Sequence, residues 1–309
     1  MSTNTETIAT KAVFEKVIPF TKLFKTSIIS VILIIAGIII YFVKGGFELG
    51  IDFKGGVKIE CVINNPEIDI KKLRGLFSSA SMQAEINYVG NPEAKSFLIT
   101  LPVSESNSEE VISKALSFLG EKFGNENIEV KGREIVEPKI GKTFAFKALQ
   151  LLVIVSILLL FYILFRFDIF YSIGAIVALI HDALMMLVFT LFLKIPIDIT
   201  IIAAILTVLG YSINDTIVVF DRIRELKQLT PQEEFSLLID KATTQTLNRT
   251  IITSLTTIFV SLALYLFGGI VLKNFALILT IGFISGTYSS IFIAAFITYL
   301  LRKRFLKNP

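Results

Sequence analysis

Gly210-Tyr211-Ser212-Ile213-Asn214-Asp215-Thr216-Ile217-Val218-Val219-Phe220 sets one carboxylate in a run that is otherwise uncharged and largely apolar. Read back to Ile199, the run meets no other charge, so residues 199–220 suffice for the roughly 20-residue helix that crosses about 30 Å of hydrocarbon. Asp215 then lies about six residues, roughly 9 Å of helix rise, inside the end of the span at Asp221. Five more stretches qualify as spans: residues 26–43, 148–165, 169–193, 250–267 and 275–301. The whole chain of 309 residues is 53% hydrophobic and 18% charged, with mean hydropathy +0.73. That balance excludes a soluble globular enzyme, a disordered chain and a disulfide-stapled secreted domain. Cys61 is the single cysteine and His181 the single histidine, so no metal-ligand spacing or disulfide framework exists.

Lys22 and Lys25 precede the first span, yet Tyr41-Phe42-Val43-Lys44 offers no small-x-small cleavage site, so this span reads as an uncleaved anchor. The polar segment from Lys44 to Phe146 holds 13 basic and 15 acidic residues. Basic residues elsewhere fall on one side of six spans: Lys11, Lys16, Lys22, Lys25, Arg166, the stretch 222–249, Arg302, Lys303, Arg304 and Lys307. The short opposite loops offer only Lys194 and Lys273. The positive-inside rule therefore predicts both termini in the cytoplasm and the large polar domain outside. Bases flanking apolar spans suit anionic lipid and topology rather than nucleic acid. The predicted organisation is a cytoplasmic segment 1–25, a span 26–43, an extracytoplasmic domain 44–147, a five-helix membrane region 148–301 with an amphipathic cytoplasmic stretch 221–249, and a tail 302–309.

Within the polar domain, residues 58–63, 85–89, 96–101 and 128–136 read as strands, with Gly90, Asn91 and Pro92 turning between the middle two. Residues 68–78 and 106–123 read as helices, the second with a capping box from Ser106 to Glu109 and an apolar face of Val111, Ala115, Leu119 and Phe123. The order βαββαβ is that of a ferredoxin-like, split βαβ domain. The predicted fold class is thus an α-helical polytopic membrane protein with one extracytoplasmic α+β domain. That fold gives no function by itself. The chain has no G-x-x-x-x-G-K-[ST] loop and no catalytic constellation, so neither an enzyme nor a cofactor is expected.

Polar groups at membrane depth carry the chemistry. An ionisable residue there costs a few kcal/mol and reads as functional by default. A carboxylate holds its proton differently in an apolar pocket and beside a guanidinium, so one moved between the two can carry protons across. Asp215 and Arg249 fit those roles, with Asn214, Thr253 and Thr257 as supports for a water path. A static ion pair tying two helices together is the other reading, and for the hydroxyls the other reading is close helix packing. His181 with Asp182 reads as a buried structural pair or a further step on the proton path, and Asp221 ends the span. Gly210, Gly282 and Gly286 read as close-packing positions ahead of hinges. Thr230-Pro231-Gln232-Glu233 resembles a capping box with proline at the first helical position. Phe235, Leu238, Ile239 and Ala242 follow at helical spacing, predicting an amphipathic helix that lies on the membrane or on a partner.

These residues together resemble the SecD/SecF family of protein-export membrane proteins, within the resistance-nodulation-division superfamily. Gly50-Ile51-Asp52-Phe53-Lys54-Gly55-Gly56 is similar to the family's GIDF-x-GG motif. Gly210 to Glu225, Thr246 to Ser254, and Leu266-Phe267-Gly268-Gly269 are similar to its SecF-type fourth helix, fifth helix and following turn. Position 54 is lysine where relatives often carry a small or polar residue. The resemblance covers essentially residues 21–301. It implies a multi-pass subunit of the bacterial cytoplasmic (inner) membrane that uses the proton-motive force to promote export through SecYEG. The implied partners are a separate SecD-like chain, YajC, YidC, membrane lipid and the unfolded exported polypeptide. It further implies that Asp215 and Arg249 move protons and that Asp52, Phe53, Gly55 and Gly56 form a signature beside the membrane. On this reading the outer domain is expected to follow the membrane half through short joints near Gly45-Gly46 and Gly141-Lys142. Two rivals stand beside it: a scaffold that transports nothing, and half of a small-molecule exporter.

Overall fold

The computed structural model describes residues 17–89, 92–103, 108–136 and 138–305. The chain enters through a one-turn helix α1 (Phe20–Leu23) and a short 3-10 turn into the apolar helix α2 (Ser27–Lys44). Gly45 and Gly46, at φ +77° and +125°, then turn it where a side chain would be strained. A single helical turn α3 (Ile51–Lys54) leads into β1 (Gly56–Ile63), followed by α4 (Ile70–Ser79), β2 (Glu85–Tyr88), β3 (Ser96–Pro102), α5 (Ser108–Phe123) and β4 (Ile128–Val136).

This βαββαβ unit forms one antiparallel sheet in the order β2-β3-β1-β4, as the element order predicts. Alternation along β1 buries Val57, Ile59, Cys61 and Ile63 completely, because successive side chains point to opposite faces. Leu73 and Phe77 of α4 and Ile112, Ala115 and Leu119 of α5 close over them. Burial pushes the Cys61 thiol up to about 12, with Glu60 adding to the effect. Asp69 caps α4 by accepting from Lys72 N at 2.7 Å. The capping box expected at Ser106 lies outside the described residues.

The remaining helices are α6 (Pro138–Arg166), α7 (Ile169–Leu193), α8 (Ile199–Leu229), α9 (Phe235–Phe267), α10 (Gly269–Ser289) and α11 (Ala295–Phe305), the last two joined by a π-helical turn Ser290–Ala294. Six helical stretches are long and apolar enough to cross a membrane, α10 and α11 counting as one. Helices α7, α8 and α10–α11 bury the most of their apolar length and form the core; α2, α6 and α9 turn most of theirs outward, where only lipid or a partner can cover it.

Three expectations change. First, α6 starts at Pro138, ten residues before the expected span, and runs unbroken into the bundle. Gly141 lies within it, so close to α3 that a Cβ would meet Phe53 O at 2.9 Å; the stretch expected as a joint is helical and packed. Second, the stretch 221–249 is no separate surface helix but the end of α8 and the start of α9. Phe235, Leu238, Ile239 and Ala242 are buried against Phe220 and Ile223 of the same chain, because the turn at residues 230–234 folds their apolar face onto α8. Third, Thr230 closes α8 by donating its hydroxyl to Leu226 O, and Glu233 takes Lys241 as its partner; the expected capping box does not form. Of the three glycines, Gly282 and Gly286 press on Val208 and Ser212, whereas Gly210 faces open space.

Candidate functional site

An Arg222 Nε bond to Gln245 Oε1, at 2.7 Å, sets the register of α8 against α9. Asp221, partly exposed at this level, pairs with Arg166 of α6 at 3.1 Å. Two turns deeper, Asp215 is 2% exposed. Its Oδ2 has no hydrogen-bond partner among the described residues. From α9, the Ser254 side chain contacts this carboxyl and the Arg249 charge acts on it through space. Among the described residues Arg249 makes no ion pair and remains exposed, so the two do not form a direct, closed salt bridge. Ser254 accepts in turn from Thr287 Oγ1 of α10 at 2.6 Å. A hydroxyl chain therefore runs from α10 through α9 to the carboxyl on α8.

The structure does not bring the other expected residues to Asp215. Asn214 is exposed on the neighbouring face of α8. Thr253 donates to Arg249 O at 3.0 Å, and Thr257 to Ser254 O at 2.9 Å, so both hydroxyls are turned back onto their own helix. Ser254 and Thr287 take the place predicted for them. Ser254 stands one turn beyond Thr250 in the same hydroxyl-rich run; spacing alone does not say which face of that run meets α8.

Asp182 is the second buried carboxylate, with no exposure at all. It accepts from Ser212 Oγ at 2.6 Å, Ser285 Oγ at 2.8 Å and Ser289 Oγ at 2.7 Å. His181 Nδ1 stands 3.1 Å from its Oδ1. An ionised carboxylate has about four acceptor positions, and here each is filled by a neighbour from α7, α8 or α10. None of the three serines was singled out by sequence reading; Ser285 and Ser289, four apart on one helical face, carry the signal that was there.

At the opposite end of α8, the Gly50–Gly56 signature is packed against the bundle. Gly50 N donates to Ile197 O and Ile197 N to Glu48 O, both at 2.8 Å, forming a parallel bridge between Leu49 and Ile197. Gly55 sits at φ +85°, and a Cβ on Gly56 would lie 2.7 Å from Leu101 O, which explains why the motif ends in two glycines. Phe53 is buried among Ile195, Ile197 and Ile201. Asp52 accepts from Ile199 N, the first residue of α8, at 3.1 Å. It also faces Lys58 of β1 at 3.5 Å, and Lys58 meets Glu134 of β4 at 3.3 Å. Burial lowers the Lys58 pKa, but these two carboxylates outweigh it and hold the group above the usual lysine value. No cluster of His, Cys, Asp and Glu suited to a metal ion occurs among the described residues.

Residues 117–304 match the family model for the C-terminal region of the protein-export membrane proteins SecD/SecF. The chain is 42% identical to the protein translocase subunit SecF of Calditerrivibrio nitroreducens over 284 residues, covering 90% of this chain and 92% of that one. It is 38% identical to the SecF subunit of Escherichia coli O157:H7, covering 86% and 82%. The crystal structure of SecDF from Thermus thermophilus, described as a translocon-associated membrane protein, aligns with TM-score 0.76 at 31% identity. A SecDF structure in a super-membrane-facing form aligns with TM-score 0.68 at 32% identity. Each alignment covers 92% of this chain but only 38% and 39% of those longer chains.

Proposed function

Because the chain belongs to the SecD/SecF family of protein-export membrane proteins, we propose that it is the SecF-type subunit of a SecDF translocase, coupling proton entry to release of exported polypeptide. Family membership supports a multi-pass inner-membrane protein; the basic flanks of the spans support both termini, and the Arg222 end of α8, facing the cytoplasm. The sheet domain then faces outward. The observation that carries the proton reading is Asp215: buried at membrane depth, one carboxylate oxygen unpartnered, a relayed hydroxyl on one side and an uncommitted arginine on the other. Such a group can change partner, and one proton crossing about 100 mV releases about 2.3 kcal/mol to drive the change.

Arg249 and Asn214 are both exposed on the flank of the bundle beside Asp215, about one helical turn apart. A cation open to hydrocarbon is costly, which supports a SecD-like chain covering this face and completing the site. SecYEG, YajC and YidC would be reached through that complex.

The test is release of a reporter preprotein in cells lacking the native copy, complemented with wild type or Asp215→Asn at matched levels. The expected result is normal insertion with loss of export support. Wild-type export by the variant would leave a scaffold that moves no protons as the better description.

A further inference from the structure

We propose that Asp52 is the coupling residue between the two halves of the molecule, transmitting movement of α8 to the outer sheet domain. This rests on the proton reading of Asp215. The argument is one of connectivity. Asp215 and Ile199 are 16 residues apart on one unbroken helix, about 24 Å of rigid rise. A shift at the carboxyl therefore reaches Ile199 N with little loss, because a buried helix moves as a body.

At Ile199 the helix has two acidic contacts. Asp198, its own cap, accepts from Ile201 N at 2.9 Å and travels with the helix. Asp52 belongs to a different part of the chain, 147 residues earlier. Its other oxygen faces Lys58, which is braced by Glu134, so the α8 end is linked to the central strand β1 and the edge strand β4. A carboxylate suits this position: the free N–H groups and positive end of a helix attract negative charge.

The surroundings limit the alternatives. The Leu49–Ile197 bridge and buried Phe53 hold α3 on the same end of α8, and Gly141 presses α6 against α3. On the α2 side the chain instead passes through Gly45 and Gly46, whose positive φ values place two flexible residues between span and domain. The route from α8 is stiff and the route from α2 is compliant. Asp52 with Lys58 is the charged part of the stiff route, and it borders the cleft of about 1330 Å³ between the sheet and the bundle, whose width any such movement would change.

The experiment uses the full chain in complex with its SecD-type partner, as wild type, Asp52→Ala, Asp52→Asn and Asp215→Asn. Release of a reporter preprotein and proton entry, followed by a pH-sensitive dye, are read in the same membranes. Asp52→Ala is expected to lower release about tenfold, within the range of ordinary coupling between sites, while proton entry falls far less. Asp52→Asn, whose amide oxygen still accepts from Ile199 N, restores part of the release. Parallel loss of release and proton entry in Asp52→Ala marks a merely structural residue and overturns the proposal, as does wild-type release. If Asp52→Ala fails to accumulate, Lys58→Gln cuts the sheet half of the link alone and must show the same split. Asp215→Asn separates the two readings: unchanged proton entry there refutes the proton site itself, whatever Asp52 does.

Discussion

Asp182 and Asp215 are the most deeply buried carboxylates of the bundle, and their surroundings are opposite. Asp182 is met by three serine hydroxyls and a histidine nitrogen drawn from three helices. Among the described residues Asp215 retains an oxygen without a partner, and the Arg249 charge that acts on it belongs to an exposed side chain. A fully bonded acid in a low-dielectric interior loses heavily by moving, since every donor it leaves is orphaned. An acid with an open position loses little. The first arrangement fixes α7, α8 and α10 together; the second leaves one oxygen open. Identical side chains at similar depth thus stand in opposite surroundings, and burial alone would not tell them apart.

The sharpest way to break this comparison is to remove each acid and measure thermal unfolding in detergent. Asp182→Ala is expected to cost about 3 kcal/mol or more, because it orphans several buried hydrogen-bonding groups at about 1–3 kcal/mol each. Asp215→Asn is expected to stay within about 1 kcal/mol of wild type while export support is lost. Equal destabilisation by the two would end the distinction. A finer test uses single hydroxyls. Ser285→Ala removes a donor to Asp182 and should cost about 1–2 kcal/mol, whereas Thr257→Val removes a hydroxyl bonded only to its own helix and should cost less than about 0.5 kcal/mol.

The smallest effect concerns the partly exposed Lys58, a pair that tolerates change far better than either buried acid. Its folded-state pKa lies above the free value of 10.5, so the charged form is favoured by folding. Its contribution is therefore fully present below pH 10.5 and is lost as the pH rises through the higher folded value. Lys58→Met should flatten that alkaline decline in sheet-domain stability, followed by far-UV circular dichroism. An unchanged slope would mean that the Asp52–Lys58–Glu134 group contributes nothing.

What sequence could reveal follows the range of the interactions concerned. Span α7 has the predicted bounds, residues 169–193, because Asp168 and the apolar run lie together in the chain. The βαββαβ order emerged from local periodicity in the same way. Asp215 is visible as a lone charge in an apolar run, and Arg249 as the charge at the start of the next span. By contrast, the donors to Asp182 lie 30, 103 and 107 residues away, and Asp52 meets Ile199 across 147. No local pattern encodes such meetings. The start of α9 was misplaced for a related reason: an amphipathic face shows that something covers it, and not that the cover is the next helix of the same chain.

The π-helical turn at Ser290–Ala294 divides the final span at a particular place. Before it, Ser285 and Ser289 face Asp182; after it, Arg302 pairs with Asp168 and stacks over Tyr171 and Phe235. A π turn holds one residue more than the α-helical turn it replaces. Deleting one residue from this stretch would remove that extra residue and restore a regular helix with Ser289 and Arg302 still on their own faces, whereas winding the unchanged sequence as a regular α-helix would swing Arg302 by about 100° away from Asp168. A one-residue deletion here should therefore be absorbed better than the same deletion elsewhere in the span, and the wide turn is what lets the two ends of one helix face different partners.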